Sequence, residues 1–271
     1  MEGTEFQTRN LLAEFLGTAF LIFAALGSIV LANQVMGADL PLSVFINAIA
    51  VGFILFALIE TFGPISGAHF NPAVTLALLS SKEISRRKAS FYIASQLSGA
   101  MVGVLMVNLL FFDTTQALFI ISDNDKLTAA TYLSEIVGTF LLVAVIYGCV
   151  RGGSDKTSLA VGLMVGGMIM ATSSNMFANP AINLSRIFTD SIAGIAPTTA
   201  LIWASAQIIG ALTAAYVMSY LYPTKLSPKG SSGGGRPAAQ CSAFDCTQNG
   251  GREEAPCAPF DCKDREPIEP Q

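Results

Sequence analysis

Charged residues are scarce in this chain of 271 residues, since Asp, Glu, Lys and Arg make up only 13% of it. An ordinary soluble globular domain carries about twice that fraction, so the composition excludes this class. Histidine occurs once, and the sequence contains no evident nucleophile–base pair or phosphate-binding loop. We therefore expect neither an enzyme nor a bound cofactor, and we expect no nucleic-acid partner.

Hydrophobic residues dominate instead, at 52% of the chain with a mean hydropathy of +0.56. A helix needs about 17–25 mostly apolar residues to cross a membrane. Glu14 lies in the first such stretch, which lacks the pattern of a removable signal peptide. We therefore predict a multi-pass membrane protein in contact with lipid. The predicted spans are 11–32, 41–63, 89–112, 129–150, 158–174 and 197–222.

The tripeptide Asn-Pro-Ala occurs twice, at 71–73 and 179–181, each time inside apolar sequence. Asn accepts backbone N–H groups at a helix N-cap, and Pro suits the first helical position. We therefore predict helices at about 71–80 and 179–189. About ten residues give about 15 Å of helix, which is half of a hydrocarbon core about 30 Å thick. Two such half-helices, end to end, span the core once.

Residues 11–112 and 132–222 form an internal repeat. Each half contributes three spans and one half-helix, and because three is odd the second half enters the membrane inverted. The fold class predicted is an all-α membrane protein with six transmembrane helices, two re-entrant half-helices and an inverted 3+3 repeat. The half-helix N-termini then meet near the midplane. Two pairs of segments carry the match: AEFLGT at 13–18 with SEIVGT at 134–139, and SQLSGA at 95–100 with AQIIGA at 206–211.

Positive residues are distributed unequally between the two sides of this topology. Lys126 and Arg186 lie on one side. Loops rich in Lys and Arg stay in the cytoplasm, so we expect both termini there and the protein in the plasma (inner) membrane. The residues on the side of the termini are Arg9, Lys82, Arg86, Arg87, Lys88, Arg151, Lys156, Lys225 and Lys229.

Asn71 and Asn179 are predicted to face one narrow place together with the positive ends of two helix dipoles. A neutral solute with an oxygen lone pair is accepted there, whereas a cation is repelled. A chain of waters must reverse direction between two donors, which interrupts proton hopping. Pro72, Ala73, Pro180 and Ala181 complete the two motifs. The alternative is that both Asn side chains only cap helices.

Glu14 and Glu135 stand at equivalent places in the two repeats. Ionisable groups inside a membrane are costly and usually face the protein interior. We predict that each carboxylate accepts backbone N–H groups of the non-helical chain before a half-helix; direct contact with solute is the alternative. His69 is predicted to line the cytoplasmic vestibule, with gating or pH sensing as its alternative role.

The segment 66–75 (SGAHFNPAVT), the second Asn-Pro-Ala and the paired Glu14 and Glu135 resemble the aquaporin, or major intrinsic protein, family over roughly residues 10–222. The resemblance implies a passive channel for water or small uncharged solutes, with a pore in every subunit of a homotetramer. An ion-coupled secondary transporter is the alternative of another class, because inverted repeats and half-helices occur there too.

The chain departs from the family at the outer filter. In most members an Arg follows the second Asn-Pro-Ala directly, where this sequence has Ile182; Arg186 lies four residues further and at a different depth, so the filter role is not transferred to it. By ungapped counting from the Asn residues, the other filter positions correspond to Val51, Gly167 and Met176.

A filter of these residues is wide and apolar, which favours bulkier neutral solutes over water. Some bacterial members that lack the filter Arg are linked to arsenic handling, and this chain resembles that group. Arsenite, methylated arsenicals, glycerol and water are the expected solutes. The alternative is that Arg186 or a loop carbonyl restores a tight, water-selective filter.

Residues 223–271 differ in composition from the channel domain 1–222 and are rich in Pro, Gly, Ser and charge, which predicts a disordered cytoplasmic tail. Cys149 lies in an apolar span as a small packed residue. The other cysteines form two Cys-x4-Cys pairs, at Cys241 and Cys246 and at Cys257 and Cys262. Four thiols in a reducing compartment suit a soft metal or metalloid; a redox or partner-binding motif and incidental cysteines are the alternatives.

Deleting residues 223–271 is expected to leave the fold and the solute ranking intact, because the sixth predicted span ends at Tyr222. The deletion is also expected to remove thiol-dependent binding of Zn²⁺ or As(III), since metal binding needs the thiolates. Calorimetry under reducing conditions on the full-length and shortened proteins measures this. Equal heats from the two proteins would contradict a metal site in the tail.

Overall fold

A computed structural model describes residues 8–223, and in that range the regular structure is helical. The elements are α1 (Thr8–Ile29, continued by a π-helical segment Val30–Val35), α2 (Leu40–Ser66), α3 (Pro72–Ser80), α4 (Arg86–Leu110), α5 (Phe112–Thr115), α6 (Ala129–Arg151), α7 (Thr157–Ala171), α8 (Pro180–Ser185, followed by a 3₁₀ turn Arg186–Phe188) and α9 (Pro197–Leu221). Residues 1–7 and the tail cysteines Cys241, Cys246, Cys257 and Cys262 lie outside the described range.

The six predicted spans correspond to α1, α2, α4, α6, α7 and α9. Five of these helices are long and apolar enough to cross a membrane, and α7 is a shorter apolar helix of 15 residues. At 1.5 Å per residue α7 is about 22 Å long, below the usual core thickness of about 30 Å. The prediction of helix to residue 174 was too long at this end, because Thr172 already has an extended backbone (φ −115°, ψ 148°).

Glycines let the two repeats pack in the same way. A Cβ on Gly99 of α4 would lie 2.3 Å from the carbonyl oxygen of Phe15 in α1. A Cβ on Gly210 of α9 would lie 2.3 Å from the carbonyl oxygen of Ile136 in α6. These glycines hold equivalent places in the matched segments, so α1 packs on α4 as α6 packs on α9.

The two repeats meet along α2 and α7, again through glycine. A Cβ on Gly52 would lie 2.9 Å from the Gly162 carbonyl oxygen, and one on Gly162 would lie 2.7 Å from the Gly52 carbonyl oxygen. Small residues spaced in this way allow membrane helices to approach closely. The half-helices α3 and α8 each pack against α4 and α9.

Polar contacts fasten the bundle at both ends. At the face where α6 and α9 end, Arg151 pairs with Glu83 at 2.5 Å and donates to the carbonyl oxygens of Met218 and Tyr222. At the opposite face the segment 116–128 lies against the chain that follows α8, where Ser122 N donates to Ile187 O at 2.8 Å. Both half-helices are thereby anchored at their C-terminal ends.

Replacing Gly99 or Gly210 by Ala is expected to lower the yield of folded protein and its melting temperature, because the added Cβ meets backbone at 2.3 Å. Gly167→Ala is the matched control, since a Cβ there would meet no atom within 4 Å. Fluorescence-detected size exclusion with a thermal ramp measures all three variants. Equal melting temperatures for Gly99→Ala and Gly167→Ala would contradict the packing described.

Candidate functional site

The two Asn-Pro-Ala motifs begin the half-helices. Asn71 is the N-cap of α3 and its Oδ1 accepts from Ala73 N at 2.8 Å, with Pro72 at the first helical position. Asn179 caps α8 in the same way, accepting from Ala181 N at 3.0 Å. Each Asn thus uses its carbonyl oxygen for the cap, which leaves its amide nitrogen available for other partners.

The two amide nitrogens cross between the repeats. Asn71 Nδ2 donates to the carbonyl oxygen of Ala178 at 2.7 Å, and Asn179 Nδ2 donates to that of Phe70 at 2.8 Å. An amide nitrogen carries two N–H groups, and across residues 8–223 each of these nitrogens has one protein acceptor. The second N–H of each Asn is therefore available to an oxygen atom of a solute.

The meeting of two helix N-termini fixes the electrostatics of this place. Each terminus carries a partial positive charge from its aligned peptide dipoles. Donors and positive ends together favour a neutral solute with lone pairs and oppose a cation. The arrangement therefore suits passage of uncharged molecules and carries no group for covalent chemistry.

Glu14 holds the chain that leads into α3. The carboxylate is fully buried. Its Oε1 accepts from Ser66 Oγ at 2.6 Å and from His69 N at 3.0 Å, and its Oε2 accepts from Phe70 N at 2.8 Å and from Gln96 Nε2 at 2.8 Å. Four donors surround the one carboxylate, and its contacts are with the protein.

Glu135 does the same for the chain that leads into α8. Its Oε1 accepts from Phe177 N at 3.0 Å, while its Oε2 accepts from Ala178 N at 2.8 Å and Gln207 Nε2 at 2.6 Å. The structure thus contains the backbone contacts predicted for both acids. The sequence analysis did not single out Gln96 and Gln207 as functional, although their matched places within apolar spans gave a signal.

The two segments that lead into α3 and α8 require anchoring because their backbone is strained. The φ angles of Ala68, Phe70, Met176 and Ala178 are 49°, 50°, 33° and 48°, in the left-handed region that non-glycine residues rarely adopt. Each such residue costs on the order of 1–3 kcal/mol. Charge-assisted hydrogen bonds to the buried carboxylates offset that cost and aim the carbonyl groups at the opposite repeat.

His69 is half-buried beside the first motif. Its Nδ1 lies 3.1 Å from Thr75 Oγ1, and its ring meets that of Tyr92 edge-on at 5.0 Å between centroids. The ring is therefore held between α3 and α4. Its place in a cytoplasmic vestibule and its role there stay predictions.

Two of the four predicted filter residues have buried, apolar side chains. Val51 in α2 is 5% exposed and Ile182 in α8 is 7% exposed, and both belong to the hydrophobic core cluster. The other two differ from the prediction. Gly167 shares an exposed face of α7 with Leu163 and Met170, and Leu163 is 66% exposed, which is too much for the wall of a narrow lumen.

Met176 differs from the predicted filter role for another reason. Its side chain is 3% exposed and packs onto α6, where its Cγ lies 2.6 Å from the place of a Cβ on Gly138. Phe70 packs onto Gly17 of α1 in the equivalent way. Counting positions from the Asn residues cannot detect this, because the left-handed backbone at Met176 determines where the side chain points.

Arg186 is buried at 6% exposure, directly after α8. Its Nη2 donates to the Ala25 carbonyl oxygen at 3.1 Å, and its guanidinium carbon lies 4.3 Å from the centroid of the Phe177 ring.

Two further polar residues lie near Arg186. Burial, together with the nearby Arg186 charge, lowers the pKa of Lys126 in the adjacent loop to about 8. Asn47, which the sequence analysis missed, donates to the same Ala25 oxygen at 2.7 Å.

Comparison with known proteins agrees with this geometry. The sequence matches the model of the Major intrinsic protein family over residues 2–218. The chain belongs to the major intrinsic protein family. It is therefore a membrane channel of the aquaporin and aquaglyceroporin type, which confirms the predicted fold class and the expectation that it is no enzyme. Membership also favours a passive channel over the secondary transporter that the sequence left open.

Named relatives of this aquaporin-family chain include both aquaglyceroporins and aquaporins. Aquaglyceroporin AqpS of Rhizobium meliloti (strain 1021) is 37% identical over 214 residues, which cover 79% of this chain and 90% of the relative. Aquaporin-5 of Ovis aries is 30% identical over 226 residues, which cover 79% of this chain and 82% of the relative. The crystal structure of the aquaglyceroporin from Plasmodium falciparum superposes with a TM-score of 0.62 at 23% identity, covering 77% of this chain and 93% of that one, which supports the fold.

Glu14→Gln and Glu135→Gln are each expected to reduce the yield of folded protein more than they alter the ranking of solutes. A Gln amide group would face backbone donors, and hydrogen bonds to a charged acceptor contribute about 1.5–3 kcal/mol each. Folded yield and solute flux in proteoliposomes test this. Glu83→Gln is the matched control, because that acid belongs to a partly exposed ion pair. A well-folded Glu14 variant with a changed solute ranking would contradict the scaffold role.

Proposed function

We propose that this channel conducts small uncharged hydroxylated solutes larger than water, with arsenite and methylated arsenicals among them. The observation that carries the proposal is the apolar pair of Val51 on α2 and Ile182 on α8, each buried and without a donor in its side chain. Glycerol and water are expected to pass as well.

The chemistry of the Asn pair supports this solute class. Undissociated arsenite carries hydroxyl groups on one central atom and no net charge, so it resembles a small polyol. The second N–H groups of Asn71 and Asn179 donate hydrogen bonds to such oxygen atoms in turn, while the helix dipoles oppose cations. AqpS, at 37% identity, is named an aquaglyceroporin, which favours a solute larger than water for this chain also.

A water-selective channel is the second candidate, and a specific observation favours it. The guanidinium of Arg186 lies next to the Phe177 ring. An arginine side chain at a constriction narrows the pore and adds hydrogen-bond donors. Aquaporin-5 relatives at 30% identity are consistent with this candidate. The two candidates differ in whether glycerol and arsenite pass at rates comparable to water.

The proposal includes the surroundings of the channel. The termini lie on the cytoplasmic side of the plasma (inner) membrane, as the distribution of Lys and Arg indicates. The subunits assemble as homotetramers with one pore each. Large apolar side chains on the outside of the bundle, such as Phe53 at 71% and Leu163 at 66% exposure, suit contact with lipid or with another subunit.

Stopped-flow measurements on proteoliposomes test the proposed function. Water, glycerol, arsenite and a methylated arsenical are compared at equal protein incorporation, with empty liposomes as the reference. We expect flux of all four to be linear in the solute gradient and indifferent to Na⁺ and H⁺ gradients. A protein that conducts water but excludes glycerol and both arsenicals would overturn the proposed solute class.

Ile182→Arg is expected to lower glycerol and arsenical permeability by at least about tenfold while water permeability changes less, because a guanidinium narrows the pore and adds fixed donors. Ile182→Leu, which keeps an apolar side chain of the same volume, is the matched control and should leave the ratio unchanged. Unchanged glycerol flux in the well-folded Arg variant would remove residue 182 from the constriction.

A further inference from the structure

Arg186 places a charge in the protein interior without a direct ion pair among residues 8–223. It is 6% exposed, and in the described part of the chain no carboxylate lies within ion-pair distance of it. Its Nε is buried and has no hydrogen-bond partner among residues 8–223. A charged group inside a membrane protein is costly and usually faces a solute path or an internal cavity. The cost therefore requires a functional explanation.

The Arg186 side chain extends from one helix wall to another. Its backbone continues α8, which packs against α4 and α9, while its Nη2 donates to the carbonyl oxygen of Ala25 in α1 at 3.1 Å. Asn47 of α2 donates to the same oxygen at 2.7 Å. Two polar side chains from different helices thus converge on one carbonyl group.

Helix direction sets the depth of this convergence. From Asn179 near the midplane, α8 runs toward the opposite face, so Arg186 lies four residues, or about 6 Å, beyond Ile182. From that same face α2 runs inward, so Asn47 lies four residues, again about 6 Å, outside Val51. Arg186 and Asn47 therefore stand one helical turn outside the apolar pair.

We propose that Arg186 and Asn47 form a polar collar across the pore, outside Val51 and Ile182, which limits the size of solutes and excludes cations. The proposal rests on the proposed function, in which Val51 and Ile182 border the solute path. The buried Nε of Arg186 is a donor that no described protein group satisfies, as expected of a group placed for something other than packing. The Phe177 ring, 4.3 Å from the guanidinium carbon, holds the fork in one orientation.

Arg186→Met tests the collar. A Met side chain fills less width and donates no hydrogen bond, so we expect the permeability ratio of glycerol to water to rise by at least about tenfold. A larger polyol such as xylitol should then pass faster than through the wild type, and a leak of small cations should appear. The readout is stopped-flow light scattering, with cation flux followed by a trapped fluorescent dye.

Arg151→Met is the matched control. Arg151 also lies 4.3 Å from an aromatic centroid, that of Tyr147, and also donates to backbone carbonyl oxygens, but it fastens the end of α6 to that of α9. A merely structural arginine would lower stability in both variants and leave both permeability ratios unchanged. A shift confined to Arg186→Met supports the collar, and equal ratios in the two variants overturn it.

A second variant keeps the proposal testable if Arg186→Met folds poorly. Arg186→Lys retains the charge without the planar fork, so it is expected to exclude cations as the wild type does while admitting more glycerol. If Arg186→Met does not fold, no change in glycerol flux in Arg186→Lys overturns the collar. The two proposals fail separately. Wild type that passes only water refutes the solute class, whereas wild type that passes glycerol, with an unchanged permeability ratio in the folded Arg186→Met variant or, failing that, in Arg186→Lys, refutes the collar.

Discussion

Two hydrogen bonds between the repeats determine the rest of this structure: Asn71 Nδ2 to Ala178 O and Asn179 Nδ2 to Phe70 O. They join the N-termini of two helices whose dipoles oppose each other, an arrangement that is unfavourable without such links. The carbonyl groups are available only because Phe70 and Ala178 adopt left-handed backbone, and that backbone persists because Glu14 and Glu135 accept its N–H groups. Each element of the site depends on the next.

The Asn side chains and the two buried carboxylates have different tasks in this arrangement. Each Asn amide nitrogen keeps an N–H group beyond its one protein acceptor, which we propose contacts the solute, whereas the carboxylates are enclosed by protein donors. A buried carboxylate facing the lumen would attract cations and oppose the effect of the helix dipoles. Enclosing the acids preserves a path suited to uncharged molecules. In the function that we propose, selectivity among those molecules depends on Val51, Ile182 and the residues one turn further out.

Several features followed from the sequence because they depend on local or periodic patterns. Helix starts at Pro72 and Pro180 follow from the capping preferences of Asn and Pro, and the inverted repeat follows from counting apolar spans. The matched segments also showed that Gly99 and Gly210 hold equivalent places, although only the structure shows what they pack against. The end of α7 and the positions of Gly167 and Met176 could not be obtained in this way, since side-chain direction depends on helix rotation and on φ angles that tertiary contacts impose.

The sequence by itself determined that this chain is a multi-pass membrane protein with two half-helices, because hydropathy and capping act over short distances along the chain. Only the tertiary structure decided which side chains converge. Asn47 and Arg186 are 139 positions apart, and nothing in their spacing predicts that both donate to the carbonyl oxygen of Ala25. Met176 turned onto Gly138 for the same reason: the packing of distant helices decides where a side chain has room.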